Sequence, residues 1–145
     1  MEPTIISPIC FDSAQYEATC RLLRQLTTRN ITLTEEAYDK LITSANSRLF
    51  FLQHNGCIAG MITVGTYLSP TGSKAWIEDV VVDEGYRGYG LGRQLVAHAI
   101  DYCRKQDIET LYLTSNPKRV AANGLYQSIG FERKETNMYK LQLTK

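Results

Sequence analysis

The sequence predicts an α/β fold of the α+β type, in which a mixed, mostly antiparallel sheet of about seven strands is flanked by about four helices. Three observations predict it. Strand-like runs flank an Asn-Gly pair, apolar residues recur at helical spacing in several segments, and strands alternate with helices in the second half of the chain. Because 145 residues is the usual size of one domain, we expect a single domain over residues 1–145.

The first third of the chain predicts one strand and then two helices. β-branched residues over 4–10 indicate the strand, and Phe11-Asp12-Ser13 offers a cap for a helix over 14–26. Thr32 and Glu35 have the spacing of a capping box, and the apolar residues after them form one helical face through about Ser44.

The middle third predicts a hairpin followed by a buried strand. Runs over 49–53 and 57–67 lie on either side of His54-Asn55-Gly56, and Asn-Gly is the strongest short signal for a hairpin. Turn-forming residues over 69–73 precede a run over 75–82, which ends in consecutive valines and is typical of a strand buried on both faces. We expect this strand to be central in the sheet.

The last third predicts two helices and three strands. Apolar residues recur at helical spacing over 91–106, and a strand follows over 110–114. A further helix over 119–129 should stop at Gly130, as helices often stop at glycine. Two strands, over 131–136 and 138–143, close the chain.

The composition argues against several classes of function. Sixteen basic and 15 acidic residues leave a net charge of +1 without a basic cluster, so no nucleic-acid partner is expected. We find no signal-peptide pattern and no run of about 18 apolar residues, which predicts a cytoplasmic protein without a membrane partner. The four cysteines and two histidines have no metal-ligand spacing, so we expect no metal and reduced, mostly buried thiols.

A glycine-rich segment, Arg87-Gly88-Tyr89-Gly90-Leu91-Gly92, lies between the predicted buried strand and the next helix. Backbone N–H groups at a helix start attract anions, and glycine lets the backbone approach a phosphate closely. The segment suits a pyrophosphate, although it could also be a tight turn without a ligand. A dinucleotide-binding fingerprint would need Gly or Ala at Arg93, although Asp107 and Glu109 lie about where its ribose-binding acid would fall. A Walker A loop would need Gly-Lys-Ser/Thr, which is absent.

Two motifs of the chain resemble those of the GNAT family of N-acetyltransferases. Arg87, Gly90 and Gly92 match the family's R/Q-x-x-G-x-G/A motif, with a strand before it and a helix after it. Residues 116–131 look like the family segment that ends in A-x-N-x-L-Y-x-x-x-G-F. With the order of elements, the resemblance covers essentially the whole chain.

The resemblance implies an enzyme that uses acetyl-coenzyme A as the acetyl donor and needs no metal. It also implies a V-shaped splay between the strand that ends at Val82 and the strand that ends near Ser115, with the pantetheine arm in the gap. The residues implied to bind the donor are Val80, Val81 and Val82 along the arm, Arg87, Gly88, Tyr89, Gly90, Leu91, Gly92 and Arg93 around the pyrophosphate, and Asn123 on the later helix. Many members carry an Asn where this chain has Arg119, so whether Asn123 takes over that contact stays open.

Glu78 and Tyr126 are the candidate catalytic residues. An alkylamine is protonated at neutral pH, so a base or a water chain must remove a proton before the nitrogen attacks the thioester. Glu78 lies just upstream of the implied thioester site, where partial burial would raise its pKa, whereas Asp79 should point to the opposite face. The alternative for Glu78 is a solvated or structurally paired carboxylate. Tyr126 matches the family tyrosine that assists departure of the thiolate, and its alternative is core packing.

Two further features of the reaction are predicted. A backbone N–H near Val80 or Val81 is the candidate donor to the oxyanion of the tetrahedral intermediate. No cysteine has an activating histidine in an identifiable motif, so direct transfer is expected in preference to a covalent acetyl-enzyme.

The acceptor amine has no recognisable code in the sequence, and it could belong to a small molecule or a protein. The resemblance implies that residues 22–39 and 135–139 bind it. Trp76, Tyr67 and Tyr139 either line that pocket or are ordinary sheet aromatics. A homodimer is plausible from the family, without a predicted interface. The alternative function is a non-catalytic acyl-coenzyme A binding or regulatory module, because such motifs report binding and not turnover.

Overall fold

The computed structural model describes residues 2–144. The chain divides into two compact units, the first ending at Thr114 and the second beginning at Ser115. The single domain stays a prediction.

The strands of the described residues lie in the first unit and form one sheet. They are β1 (Thr4–Ile6), β2 (Ser47–His54), β3 (Cys57–Ser69), β4 (Gly72–Val82) and β5 (Thr110–Tyr112). Their order in the sheet is β1-β2-β3-β4-β5. The first three pairings are antiparallel, and β5 pairs parallel to β4. The mixed, mostly antiparallel sheet is therefore confirmed.

The helices follow the predicted segments closely. They are α1 (Ser13–Leu26), α2 (Glu35–Thr43), α3 (Leu91–Lys105) and, in the second unit, α4 (Val120–Ile129), with a short 3-10 helix at Glu84–Tyr86. The cap of α1 lies within the predicted segment, at Asp12, whose carboxylate accepts a hydrogen bond from the Gln15 N–H at 3.0 Å.

The predicted capping box at Thr32 is wrong by two residues. Thr34 caps α2, and its hydroxyl accepts a hydrogen bond from the Ala37 N–H at 3.1 Å. This start places Glu35 and Glu36 in the first turn, where the positive end of the helix stabilises acidic side chains.

The predicted hairpin is confirmed. β2 and β3 pair antiparallel up to His54 and Cys57, which leaves Asn55 and Gly56 as a two-residue turn. Their φ angles are 52° and 78°, and two consecutive positive values define the type I′ turn that Asn-Gly favours.

Helices pack on both faces of the sheet, and β2 supplies side chains to each. Leu49 and Phe51 belong to a buried cluster with Leu22 of α1 and Tyr38 of α2. Between them, Phe50 makes edge contacts with two α3 rings, His98 at 4.6 Å and Tyr102 at 5.2 Å between centroids. The core of this unit therefore consists of two apolar layers separated by the sheet.

The strand buried on both faces is β2 and not β4. All four residues over 49–52 are buried, whereas in β4 Val81 is buried and Val80 and Val82 are half-buried. β4 is also next to the edge of the sheet, so its predicted central position is wrong. Of the three valines, Val81 alone is buried as the run predicted.

The predicted count of seven strands is also wrong. Five strands are present in the described residues, and the runs over 131–136 and 138–143 are irregular. Residues 132–135 are all charged and offer no apolar side chain to bury on either face of a strand. In the second run, Tyr139 and Leu141 are more than 80% exposed.

Candidate active site

β4 and β5 separate after a short parallel pairing. Lys74, Ala75 and Trp76 pair with residues 110–112, and β5 then ends while β4 continues to Val82. The Trp76 and Tyr112 rings stack at the last paired position, with centroids 5.0 Å apart. Among the described residues, no strand pairs with the β5-facing edge of β4 over residues 77–82. This is the strand splay that the sequence motifs implied.

A β-bulge interrupts β4 within the unpaired stretch. Thr63 of β3 pairs with Glu78 and Met61 pairs with Val81, so one residue of β3 lies opposite two of β4. Asp79, inside the bulge, has a φ of 52°, which is uncommon for a residue other than glycine.

The bulge brings two carboxyl groups together on the open strand. Glu78 and Asp79 are both exposed residues. Nonetheless, desolvation by the surrounding protein raises the pKa of both, and the negative charge of Asp79 raises the pKa of Glu78 further. The expectation that Asp79 points to the opposite face required unbroken alternation, which β4 does not have. A carboxylate with a raised pKa is a better proton acceptor, so either residue has the chemistry of a general base.

The glycine-rich loop joins β4 to α3. Gly88 and Gly90 have φ angles of 89° and 75°, and Gly90 is the N-cap of α3 without a side-chain capping hydrogen bond. A Cβ built on either glycine would meet no atom within 4 Å, so both face open space. The helix start thus presents backbone N–H groups beside room for a ligand, the arrangement that binds phosphate.

The other predicted loop residues divide between surface and core. Arg87 directly follows the short 3-10 helix, and its Nε donates to the carbonyl of Val82, the last residue of β4, at 3.1 Å. Tyr89 is 73% exposed and Arg93 is exposed. Leu91 is buried, so only its backbone can serve a ligand.

Side chains of α1 fix the segment just before this loop. The Arg21 guanidinium donates to the Ile58 carbonyl at 2.7 Å and lies 3.5 Å from the Asp83 carboxylate. One turn further along, the Gln25 side-chain oxygen accepts a hydrogen bond from the Glu84 N–H at 2.8 Å. α1 therefore holds both the hairpin and the start of the loop. This role of Arg21 and Gln25 was not predicted from the sequence. The available signal was their spacing of four residues, which places both side chains on one face of a helix.

In the second unit, α4 carries the other two predicted site residues. The Asn123 amide nitrogen donates to the carbonyls of Asn116 at 2.9 Å and Arg119 at 2.8 Å, so it also organises the segment before the helix. Tyr126 is 7% exposed, and its ring contacts Phe131 edge-on at 6.1 Å between centroids. A donor-binding role for Asn123 and an acid role for Tyr126 are untested by this geometry and stay predictions.

A cleft in the first unit occupies the region expected to bind the acceptor. It lies between the C-terminal half of α1 and the loop to α2, and its volume is about 640 Å³. We call it the α1–α2 cleft. Its lining residues are Tyr16, Cys20, Leu23, Arg24, Thr27, Thr28, Arg29, Asn30, Ile31, Thr32 and Leu33.

Two of the three aromatic candidates, Trp76 and Tyr67, behave as sheet residues. Trp76 stacks on Tyr112, and its indole N–H lies 3.3 Å from the Tyr67 hydroxyl. Neither Trp76 nor Tyr67 lines the α1–α2 cleft, and Tyr139 belongs to the irregular segment of the second unit.

The cysteines are free, as predicted, but they are not mostly buried. Cys103 is buried, Cys20 is half-buried, and Cys10 and Cys57 are exposed. Their positions explain the error: Cys57 begins a strand directly after a tight turn, and Cys10 lies in the irregular segment before α1. Within residues 2–144 we find no cluster of three potential metal ligands. None of the described helices is long and apolar enough to cross a membrane.

Together, a splayed mixed sheet and a glycine-rich loop at the start of a helix define the fold class of the chain and its candidate site. Residues 16–131 match the Acetyltransferase (GNAT) family. The match covers well over half of the chain, so the chain belongs to this family. The dinucleotide-binding alternative is thereby excluded. Glu109, which lies about where the ribose-binding acid of that fingerprint would fall, accepts a hydrogen bond from the Ser73 N–H at 3.2 Å.

Curated relatives support the family, and their alignments cover only part of this chain. A [ribosomal protein bS18]-alanine N-acetyltransferase of Escherichia coli is 35% identical over 82 residues, which is 57% of this chain and 53% of that protein. A streptothricin acetyltransferase of Streptomyces lavendulae is 34% identical over 88 residues, 60% of this chain and 46% of that protein. The chain thus spans about half the length of the curated relatives it matches.

Solved structures match the fold over nearly the whole chain. An aminoglycoside acetyltransferase from an uncultured soil metagenomic sample, in complex with trehalose, superposes with a TM-score of 0.86 at 18% identity and covers 99% of this chain and 97% of that one. An Agrobacterium tumefaciens protein described as a putative acetyltransferase has a TM-score of 0.85 at 22% identity and covers 96% and 99%. At these identities the likeness shows the fold alone.

Proposed function

We propose that this protein transfers the acetyl group of acetyl-coenzyme A directly to a primary amine of a small molecule or a protein. The observation that carries the proposal is the unpaired edge of β4, which runs from the splay at Trp76 through two carboxyl groups into the glycine-rich loop. The family and the activities named for its relatives support acetyl transfer.

The chain fits an acetyl-coenzyme A donor at both ends of that edge. The polar backbone of Val80, Val81 and Val82 can pair with the two amides of the pantetheine arm in the way an added strand would. The residues proposed to hold the pyrophosphate are those from Arg87 to Arg93, with the open space at Gly88 and Gly90 beside them. Asn123 is proposed to contact the donor from α4.

The chemistry needs a base, an oxyanion donor and an acid. We propose that Glu78, directly or through a water, accepts a proton from the ammonium form of the acceptor. The neutral nitrogen then forms a bond to the thioester carbon, and a backbone N–H near Val80 or Val81 stabilises the oxyanion. The C–S bond breaks, and Tyr126 donates a proton to the departing thiolate. The nitrogen loses its remaining extra proton to solvent, which leaves a neutral amide.

An acetyl-coenzyme A titration and an acceptor screen test the proposal together. Calorimetry should show micromolar binding of acetyl-coenzyme A and none of NAD, and free thiol should appear when a suitable amine is added. Glu78→Gln should retain binding and lower turnover by about 10²-fold or more, since general-base catalysis contributes about 10² to 10⁴. Binding without thiol release for any amine, protein N-terminus or lysine peptide would instead establish the non-catalytic acyl-coenzyme A binding module.

Location and assembly are part of the same proposal. We expect a cytoplasmic protein without nucleic-acid or membrane partners, and a homodimer is the candidate assembly. Fractionation of cells that produce the chain and light scattering of the purified protein measure these two properties.

A further inference from the structure

The α1–α2 cleft has a one-sided charge. Two of its lining residues, Arg24 and Arg29, are cationic, and Asp and Glu are absent from the lining. Neither arginine forms an ion pair within the part of the chain that the structure describes, although Arg21 on the same helix does. Glu35, the next acid along the chain, belongs to the first turn of α2 and lies outside the lining.

The walls of the cleft are held by hydrogen bonds that leave the two guanidinium groups unengaged by other side chains of residues 2–144. The Tyr16 hydroxyl donates to the Leu33 carbonyl at 2.6 Å and ties α1 to the far end of the loop. Thr27 caps the end of α1, and its hydroxyl accepts a hydrogen bond from the Arg29 N–H at 3.1 Å. The backbone that carries Arg29 is therefore fixed beside the helix end.

Helix stabilisation explains only one of the two arginines. Arg24 lies in the last turn of α1, where a cation interacts favourably with the negative end of the helix. Arg29 lies beyond the end of the helix, in a loop whose other lining residues are neutral. Threonine hydroxyls and the Asn30 amide add neutral hydrogen-bonding groups to the same cleft.

We infer that the α1–α2 cleft binds an anionic group, a phosphate or a carboxylate, on the acceptor amine through Arg24 and Arg29. Guanidinium groups match both anions in geometry and charge. This inference rests on the proposed acetyl transfer and narrows its substrate class, because amines that carry only positive charge would be repelled by the cleft.

Matched ligand pairs test the inference directly by NMR of the arginine Nε–H groups. One pair is glucosamine 6-phosphate and glucosamine, and the other is β-alanine and its amide, so each pair differs by a single anionic group. We expect the Arg24 and Arg29 signals to shift and saturate with at least one anionic member and not with its partner that lacks the anionic group. The two pairs also distinguish a phosphate from a carboxylate.

Kinetics with the same amines provide the functional comparison. Arg24→Gln and Arg29→Gln should each raise KM for the anionic amine about threefold to tenfold, the lower part of the range for charged hydrogen bonds because both side chains are exposed. KM for the partner that lacks the anionic group should rise by a smaller factor. Arg104→Gln is the matched control, because Arg104 is also an exposed arginine in the last turn of a long helix.

The outcomes separate this inference from the proposed function. Equal shifts with both members of each pair, or shifts as large at Arg104 as in the cleft, would overturn the anion site. Acetylation of both members of each pair with equal kcat/KM would also overturn it while transfer itself stands. Selective, saturable shifts at Arg24 and Arg29 without acetylation of any amine would support the anion site and refute the transferase.

Discussion

Replacing Gly90 by alanine separates the conformation of the glycine-rich loop from its proposed contact with the donor. Gly90 has a φ of 75° and a ψ of 17°, the left-handed region, where a residue with a Cβ is disfavoured by about 1–2 kcal/mol. No atom lies within 4 Å of the added Cβ, so the fold contributes no clash. The free energy of unfolding should therefore fall by about 1–2 kcal/mol.

The effect on acetyl-coenzyme A should be larger than a loss of stability explains. The new methyl group would occupy the open space assigned to the pyrophosphate, and any relaxation of φ would turn the α3 N–H groups away from it. We expect the Kd for acetyl-coenzyme A to rise at least about tenfold, which corresponds to about 1.4 kcal/mol. Urea denaturation measures the first quantity and calorimetry measures the second.

Gly56→Ala is the matched control. Gly56 has a φ of 78° in the hairpin turn, and its Cβ would also meet no atom within 4 Å. This variant should lose similar stability and bind acetyl-coenzyme A like the parent. If Gly90→Ala is folded and retains the parent Kd, the pyrophosphate is not held by this loop.

Four further predictions address catalysis, the loop anchor and pH. Tyr126→Phe should bind the donor like the parent, and its chemical step should be slower by a factor of about 10² to 10⁴ in pre-steady-state measurements. An unchanged rate would mean that Tyr126 is a packing residue. Arg21→Gln should weaken acetyl-coenzyme A binding about threefold by loosening Asp83 and the loop, whereas Arg104→Gln should not. Mass spectrometry after incubation with acetyl-coenzyme A alone should find no acetyl group on cysteine, and a competent stoichiometric adduct would refute direct transfer. Burial lowers the pKa of His98, so the folded state resists protonation. The contribution of His98 to the free energy of unfolding should be fully present above the unfolded pKa of about 6.5 and be lost as the pH falls below that value. Urea midpoints measured between pH 5 and 8 should therefore fall less with decreasing pH in His98→Gln than in the parent.

The parts of the fold that local chemistry determines could be predicted from the sequence. Asn55-Gly56 fixed the hairpin because both residues must adopt positive φ, and the repeat of apolar residues placed α3 within one residue of its observed end. Gly130 ended α4 as expected. In each case the signal and the structure involve neighbouring residues.

The features that the sequence did not predict depend on pairing between distant segments. The valine run of β4 has the composition of a strand buried on both faces, but its burial depends on how far β5 accompanies it, and β5 stops at Tyr112. The bulge at Asp79 likewise depends on the register with β3. An Asp within a strand run is an available signal, since strands are depleted in that residue.

The motifs located the loop of the candidate site, but the contacts that support this loop could not be predicted. Arg87, Gly88 and Gly90 lie where the motif placed them, at the end of β4 and the start of α3. Arg21 contacts Asp83 across 62 positions of sequence, a relation that only folding reveals.

The open edge of β4 also has a consequence for solubility. A strand edge with unsatisfied backbone groups can recruit a strand from another molecule, and proteins commonly prevent this with charges and bulges. β4 has both devices at Glu78 and Asp79, directly before its three valines. Glu78, the proposed base, and its neighbour Asp79 are thus also expected to oppose aggregation when no donor covers the edge. A doubly neutralised strand should aggregate faster than the parent, and acetyl-coenzyme A, by pairing with that edge, should slow the process in both.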